Sequence, residues 1–168
     1  MKNRKSIQRR FAGILFFLFI SGTIFAQTNF AGNWVFNESK SNFGDSQFRF
    51  AAAKMVVTQD TKVLSVESTM QGRDGNERKV NAKYNLDGSV SENPMFNSTS
   101  QSTVSWSADK KSMTIKTTAK FEMNGETREM KSSQMWTLGE DGKVLILDNV
   151  RTGRDGNEVK TKIAYDKK

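Results

Sequence analysis

The side chains that could do chemistry in this chain are few, and two absences narrow them first. There is no His and no Cys. That removes imidazole and thiolate metal sites and any His-assisted nucleophile. Carboxylates remain, and the most conspicuous sit in a hexapeptide that occurs twice: Gly72-Arg73-Asp74-Gly75-Asn76-Glu77 and Gly153-Arg154-Asp155-Gly156-Asn157-Glu158. Asp74 with Glu77, and Asp155 with Glu158, place two oxygen ligands near a Gly. A calcium loop needs alternating acids before its Gly and a Glu well after it, and this spacing supplies neither. The plainer reading is a turn carrying solubilising charges, so neither a metal nor a cofactor is expected. General acid–base work would require paired carboxylates or a Lys on a buried surface. No acid falls inward at mid-strand, and the chain is read as a non-enzyme with no catalytic residues. What the pattern offers instead is a binding wall: Tyr84, Phe121, Gln134, Trp136 and Tyr165 fall in phase on alternating segments.

The elements that must position these residues are announced by the same repeat. Lys62-Val63-Leu64 leads through an extended run to the first hexapeptide, and a second run ends at Tyr84. Lys143-Val144-Leu145 and Tyr165 frame the second copy, without a gap, at an offset of about 81 positions, longer than the ~20–50 residues of solenoid and propeller repeats. Asp-Gly between two alternating runs signals a β-hairpin, because the turn needs positive φ and Gly adopts it without steric cost. Each copy is therefore strand, turn, strand.

Charge says less than it first promises. The chain carries +8, from 26 basic and 18 acidic residues. Five of the basic residues, Lys2, Arg4, Lys5, Arg9 and Arg10, precede an apolar run from Phe11 to Ala26. A basic head, a short apolar middle and a small residue at the exit describe a secretory signal peptide over residues 1–26. An uncleaved anchor is the alternative, but the run is shorter than the ~20 residues a spanning helix wants. Cleavage would leave about +3 on residues 27–168, which withdraws most of the support for a nucleic-acid partner. Without Cys there are no disulfides and no lipidated cysteine, so the core itself must hold the domain together.

Residues 27–168 read as one all-β domain. Trp34 and Phe36 share a face of a first strand, and Glu38 to Gln47 is polar and reads as a loop. Leu64, Val66, Ser68 and Met70 alternate with Val63, Ser65, Glu67 and Thr69. Val80, Ala82, Tyr84 and Leu86 alternate with Lys79, Asn81, Lys83 and Asn85. Such period-two patterning marks strands with one wet face. Ser89 to Asn97 holds the only proline, Pro94, and reads as a longer loop; Ser98 to Thr103 is wholly polar. Met113 to Met123, Met130 to Leu138, Leu145 to Arg151 and Thr161 to Tyr165 alternate again around Asn124-Gly125 and Asp141-Gly142 turns. The count is about eight to ten strands, nearly all neighbour to neighbour. The expected fold is an antiparallel up-and-down β-barrel, which leaves no sticky edge; a two-sheet sandwich is the alternative. Lys and Glu on the outward faces argue against an outer-membrane barrel.

The inward residues suggest what such a barrel holds. Strand ends are bulky (Leu64, Tyr84, Met113, Phe121, Trp136, Leu145, Tyr165), and strand middles are small or polar (Ser68, Ala82, Thr117, Ala119, Ser132, Gln134, Asn149, Thr161). Small middles leave volume, and a few hydroxyls and amides among apolar walls is the usual make-up of a ligand pocket. The alternative is a filled core in which these groups satisfy each other. Met70, Met113, Met123, Met130 and Met135 suit core filling more than an adaptable surface. Outward Lys116, Lys120 and Lys131 suit protection against edge aggregation more than an anionic polymer.

Phe30-Ala31-Gly32-Asn33-Trp34 resembles the Gly-x-Trp motif of lipocalins and their calycin relatives. The chain is also similar to small secreted lipocalin-like proteins of Gram-negative bacteria, through Asn37, Lys40, Ser41 and Phe43 after the Trp strand and Asp141-Gly142 after Trp136. The resemblance implies an up-and-down barrel that carries a small apolar molecule. It implies that Gly32 and Trp34 form the floor motif, with Arg151 as the cation laid over the Trp. The disulfide and C-terminal helix of animal lipocalins are absent from the sequence.

Two functions follow as expectations. The first is an exported, periplasmic or secreted, monomeric binding protein for a small apolar or amphipathic molecule, with Tyr84, Phe121, Gln134, Trp136 and Tyr165 lining the site. It would use no nucleic-acid partner and no stable membrane insertion. The second is a non-catalytic envelope interaction module, a filled barrel acting through the loops Glu38–Gln47 or Ser89–Asn97.

Overall fold

A computed structural model describes residues 26–44, 46, 49–72, 75–95, 98–123, 125–152 and 156–168. The signal segment expected over residues 1–26 lies outside them except for Ala26. The two turn tips weighed for calcium also lie largely outside, since 73, 74 and 153–155 are not described.

Ten antiparallel strands follow one another: β1 Gly32–Asn42, β2 Lys54–Gln59, β3 Val63–Gln71, β4 Glu77–Asn85, β5 Ser91–Met95, β6 Ser98–Trp106, β7 Met113–Met123, β8 Glu126–Gly139, β9 Val144–Thr152 and β10 Glu158–Lys167. A 3₁₀ turn at Glu140–Gly142 is the one helical piece among the described residues. The ladder order is β4-β3-β2-β1-β10-β9-β8-β7-β6-β5. The first and last strands are thus joined by a backbone ladder, and the sheet curls into a nearly closed barrel whose seam lies between β4 and β5. The repeated hairpins share one register, Gln71 opposite Glu77 and Thr152 opposite Glu158. Gly75 and Gly156 take φ of +79° and +83°, as their turns require.

Alternation fixes the faces. Leu64, Val66, Met113, Ile115, Trp136, Leu145, Leu147, Ile163 and Tyr165 are buried in one core, while Lys79, Lys83, Lys116, Lys120, Lys131, Lys160 and Lys162 are exposed on the outer face. Because the side-chain period is two, one correct residue per strand sets all the others.

Two stretches differ from the sequence reading. Ser91–Met95, expected within a loop because of Pro94 and its polarity, is a strand at the seam. Proline survives in a strand that lacks a second backbone neighbour. The join to β4 is made by side chains instead of a ladder. Lys83 N–H donates to Asn93 Oδ1 at 2.7 Å, and Asn93 Nδ2 donates to the Lys83 carbonyl at 2.9 Å. The Asn amide stands in for a peptide group. Asn85 N–H donates to Ser91 Oγ at 2.7 Å, and Asn85 Nδ2 to the Val90 carbonyl at 3.1 Å.

The second difference is Glu38–Asn42, expected as loop, which continues β1 through a register break between Asn37 and Asn42. Here the Asn37, Lys40 and Ser41 run has a structural use. Asn37 Oδ1 accepts from Lys40 N–H at 3.1 Å, and Asn37 Nδ2 donates to Asp166 Oδ2 at 2.6 Å. Ser41 Oγ donates to the Asn37 carbonyl and accepts from Ala164 N–H, at 2.6 and 2.9 Å. Lys40 Nζ lies 2.9 Å from Glu140 and 3.2 Å from Asp166. Asn37 and then Lys40 hold the Asp166 carboxyl below its usual range. The side chains supply the partners that a bulged backbone loses.

Candidate functional site

The barrel has two unlike ends. At one end lie the connections β2–β3, β4–β5, β6–β7 and β8–β9; the other carries the hairpin tips. The first end is sealed. Residues 28–31 cross beneath it: Thr28 N–H donates to the Lys110 carbonyl at 3.0 Å, and Phe30 N–H to Gln59 Oε1 at 2.9 Å. Gln59 Nε2 returns a bond to the Thr28 carbonyl at 3.0 Å. This clasp pushes Phe30 up into the barrel, where it is fully buried, stacked on Trp106 at 6.1 Å and edge-on to Trp136 at 5.8 Å. Trp34, also fully buried, donates its indole N–H to the Phe30 carbonyl at 3.0 Å. Three indoles and a phenyl make the floor.

Gly32 and Trp34 form part of that floor, but the cation over Trp34 is Lys167, at 5.3 Å from the ring, and not Arg151. Trp34 stands opposite Lys167 on β10, whereas Arg151 stands opposite Val159. Those β10 positions are eight residues apart, roughly 26 Å at ~3.3 Å per residue. A Cβ on Gly32 would come within 2.9 Å of Lys167 Cε, so the glycine leaves the lane in which the lysine stem crosses the indole.

The five proposed lining residues do not form one cluster. Trp136 and Tyr165, each 2 % exposed, are built into the packed half. Burial pushes the Tyr165 phenol up to about 12, opposed weakly by a hydrogen bond with the backbone of Ala52. Tyr84 is half-buried, and burial raises its phenol as well. Phe121 is half-buried near the open rim. Trp136 stands opposite Met113 on β7, so Phe121 is eight residues, roughly 27 Å, farther along the wall. One small molecule does not span both.

Gln134 has its hydrogen-bonding groups engaged. The Trp136 indole can only donate, and it donates to Gln134 Oε1 at 2.6 Å. That fixes the amide, so Gln134 Nε2 donates to Asn149 Oδ1 at 2.6 Å. Asn149 Nδ2 then faces the Leu147 carbonyl and Thr161 Oγ1 at 3.2 and 3.3 Å. The chain of amides caps the aromatic floor with a satisfied polar layer, and no buried side-chain nitrogen or oxygen is left without a partner among the described residues.

Above that layer Met70, Ala82, Thr117, Phe121, Met130, Ser132 and Arg151 are half-buried and Val80 is 45 % exposed, whereas the inward Ser91, Ser100, Ser102 and Ala119 are buried. Across five strands one unbroken inward row runs Ser91, Ser102, Thr117, Ser132, Arg151. Composition hinted at this row through the small polar strand middles, but the partners along it depend on cross-strand register. Arg151 Nη2 donates to Ser46 Oγ at 3.2 Å.

Two cavities lie outside this space. One, of about 290 Å³, is an open groove on the outer face of β7–β10, walled by the outward residues from Lys116 to Glu158 and floored by the strand positions of Thr117, Ser132 and Arg151. The other, of about 320 Å³, lies in the β1–β2 connection between Glu38, Ser41, Phe43 and Arg49. Among the described residues no group of three or more acidic side chains could hold a metal ion, and no helix is long and apolar enough to cross a membrane.

No family model, no curated protein and no solved structure matches the chain.

Proposed function

We propose that this is an exported, lipocalin-like binding protein that holds a small apolar or amphipathic molecule in the mouth half of its barrel. One observation carries the reading: a sealed aromatic floor lies under a mouth in which the inward Ala82, Thr117 and Ser132 retain exposure. Small side chains on a rigid wall, with a few hydroxyls among apolar groups, suit a ligand cup. The site sits nearer the rim than the five lining residues expected from the sequence. Tyr84 and Phe121 remain at it, joined by Met70, Ala82, Thr117 and Ser132, whereas Trp136, Gln134 and Tyr165 serve as its base.

The test is titration of the protein with dodecanol and dodecanoate, followed by Trp fluorescence and by calorimetry. Saturable binding of either, weakened by Ala82→Phe or Thr117→Phe, is the expected result. Absence of binding to both, with the fold intact, removes the proposal.

The outer groove favours a second reading, a surface interaction module in the cell envelope. Lys116 and Lys131 flank small residues there, and such a groove accepts an extended acidic segment. Co-purification of an envelope protein that is lost on Ser133→Trp would support this reading over the first.

A further inference from the structure

Arg151 is the one guanidinium on the hydroxyl row, and its surroundings are unusual for its chemistry. It is half-buried, on the inward face of β9, and its recorded partner is the neutral Ser46 hydroxyl. No carboxylate among the described residues lies within ion-pair distance of it. By contrast the nearby outward cations Lys120, Lys131 and Lys160 each meet a Glu. A guanidinium offers five N–H donors in a planar fork that matches a carboxylate, and one hydroxyl uses few of them.

The neighbours point the same way. Ser132 stands directly across the ladder from Arg151, and Thr117 across from Ser132. Side chains so placed are ~4.5–5.5 Å apart at Cβ, close enough to share one small group. The Ser132 hydroxyl has no hydrogen-bond partner among the described residues, and Thr117 Oγ1 pairs with Ser102 Oγ at 2.9 Å. On β2–β4 the inward wall is instead largely apolar: Val57, Val66 and Ala82 form one row and Met55, Ser68 and Val80 the next, with Met70 opposite the exposed Arg78 at the rim. The mouth thus has one wall of hydroxyls ending in a cation and one wall that is mostly apolar below an exposed Arg78.

We propose that the ligand of this barrel is an amphipathic carboxylate, its headgroup bound by the Arg151 guanidinium with the Ser132 and Thr117 hydroxyls, and its tail laid along the partly exposed Met70, Val80 and Ala82. This rests on the carrier reading above and adds the charge and orientation of what is carried. It also gives Arg151 a use after Lys167 has taken the place over Trp34.

Matched titrations with dodecanoate and dodecanol test it, using the parent, Arg151→Gln, Arg151→Lys and Lys116→Gln. The parent should bind dodecanoate about tenfold or more tightly than dodecanol, which corresponds to ~1.4 kcal/mol. Arg151→Gln should erase that preference while leaving dodecanol affinity within about twofold, and Arg151→Lys should restore part of it. Lys116→Gln, on the outer face of the same sheet, should keep the preference. Circular dichroism and melting temperature establish that each variant is folded. Equal affinity of the parent for acid and alcohol, a preference that survives Arg151→Gln, or one lost with Lys116→Gln overturns the headgroup assignment and leaves the carrier reading standing. Binding of neither probe by the parent overturns both.

Discussion

Phe30 and Tyr165 show how single residues set the properties of this protein. Phe30 contacts two indoles from beneath and is held there by bonds to its own backbone. Phe30→Ala should cost about 3–5 kcal/mol, from lost burial and the cavity left behind. The denaturation midpoint should fall, and Trp emission should shift red as water reaches the floor. Tyr165 makes a pH prediction with a definite sign. Its folded phenol is raised to about 12, above the ~10 expected when unfolded. The folded state therefore binds the proton more tightly, and this contribution is fully present below pH ~10. It is lost as pH rises to ~12, at about 1.4 kcal/mol per unit. Stability measured by denaturant should drop across that window, and Tyr165→Phe should flatten the drop. Raised Lys40, Lys79 and Lys131, each paired with a Glu or Asp, titrate in the same direction and steepen the parent curve.

Strands are where the legible and illegible parts of this sequence separate most clearly. Faces were readable wherever hydrophobic and charged residues alternate, as in Val80 to Leu86 or Met113 to Phe121, because pleating imposes that period whatever the strand's neighbour. The β5 strand was not readable, because Asn93 and Ser91 replace backbone partners, and a strand built around side-chain amides carries no hydrophobic alternation. The same device predicts its weak point. Asn93→Ala should leave the Lys83 N–H and carbonyl without these partners, at about 1–3 kcal/mol. Hydrogen exchange should accelerate first at Lys83 and Asn85, before the β9–β10 ladder responds. Asn93→Asp tests the geometry separately: it removes the donor to the Lys83 carbonyl while keeping an acceptor for its N–H, so exchange at Lys83 should change less than in Asn93→Ala.

At the scale of the whole molecule, the ladder order places the first and last strands side by side and the seam elsewhere. Lys168 N–H donates to the Asn33 carbonyl, and Lys167 N–H to that of Lys143, at 2.9 and 2.8 Å. Joining Gln27 to Lys168 by a flexible linker of about twelve residues, long enough to recross the sealed end, and opening the chain between Gly88 and Ser89, cuts no ladder. Such a permutant should fold to the same barrel, with near-ultraviolet circular dichroism and amide spectra matching the parent. Opening the chain at the β9–β10 turn, where nine register pairs meet, should cost much more stability.

Alternation, turn glycines and the twofold repeat were enough, by themselves, to specify antiparallel strands, their inward residues and an up-and-down order, since each is a local consequence of pleat and turn. Which residues meet across the barrel was decided only by tertiary closure. Pairing of β1 with β10 carries Lys167 onto Trp34 and leaves Arg151 at the far end. The ladder likewise aligns Ser102, Thr117, Ser132 and Arg151 from four strands. Such contacts depend on register summed around the whole sheet, a quantity that no single segment of the chain contains.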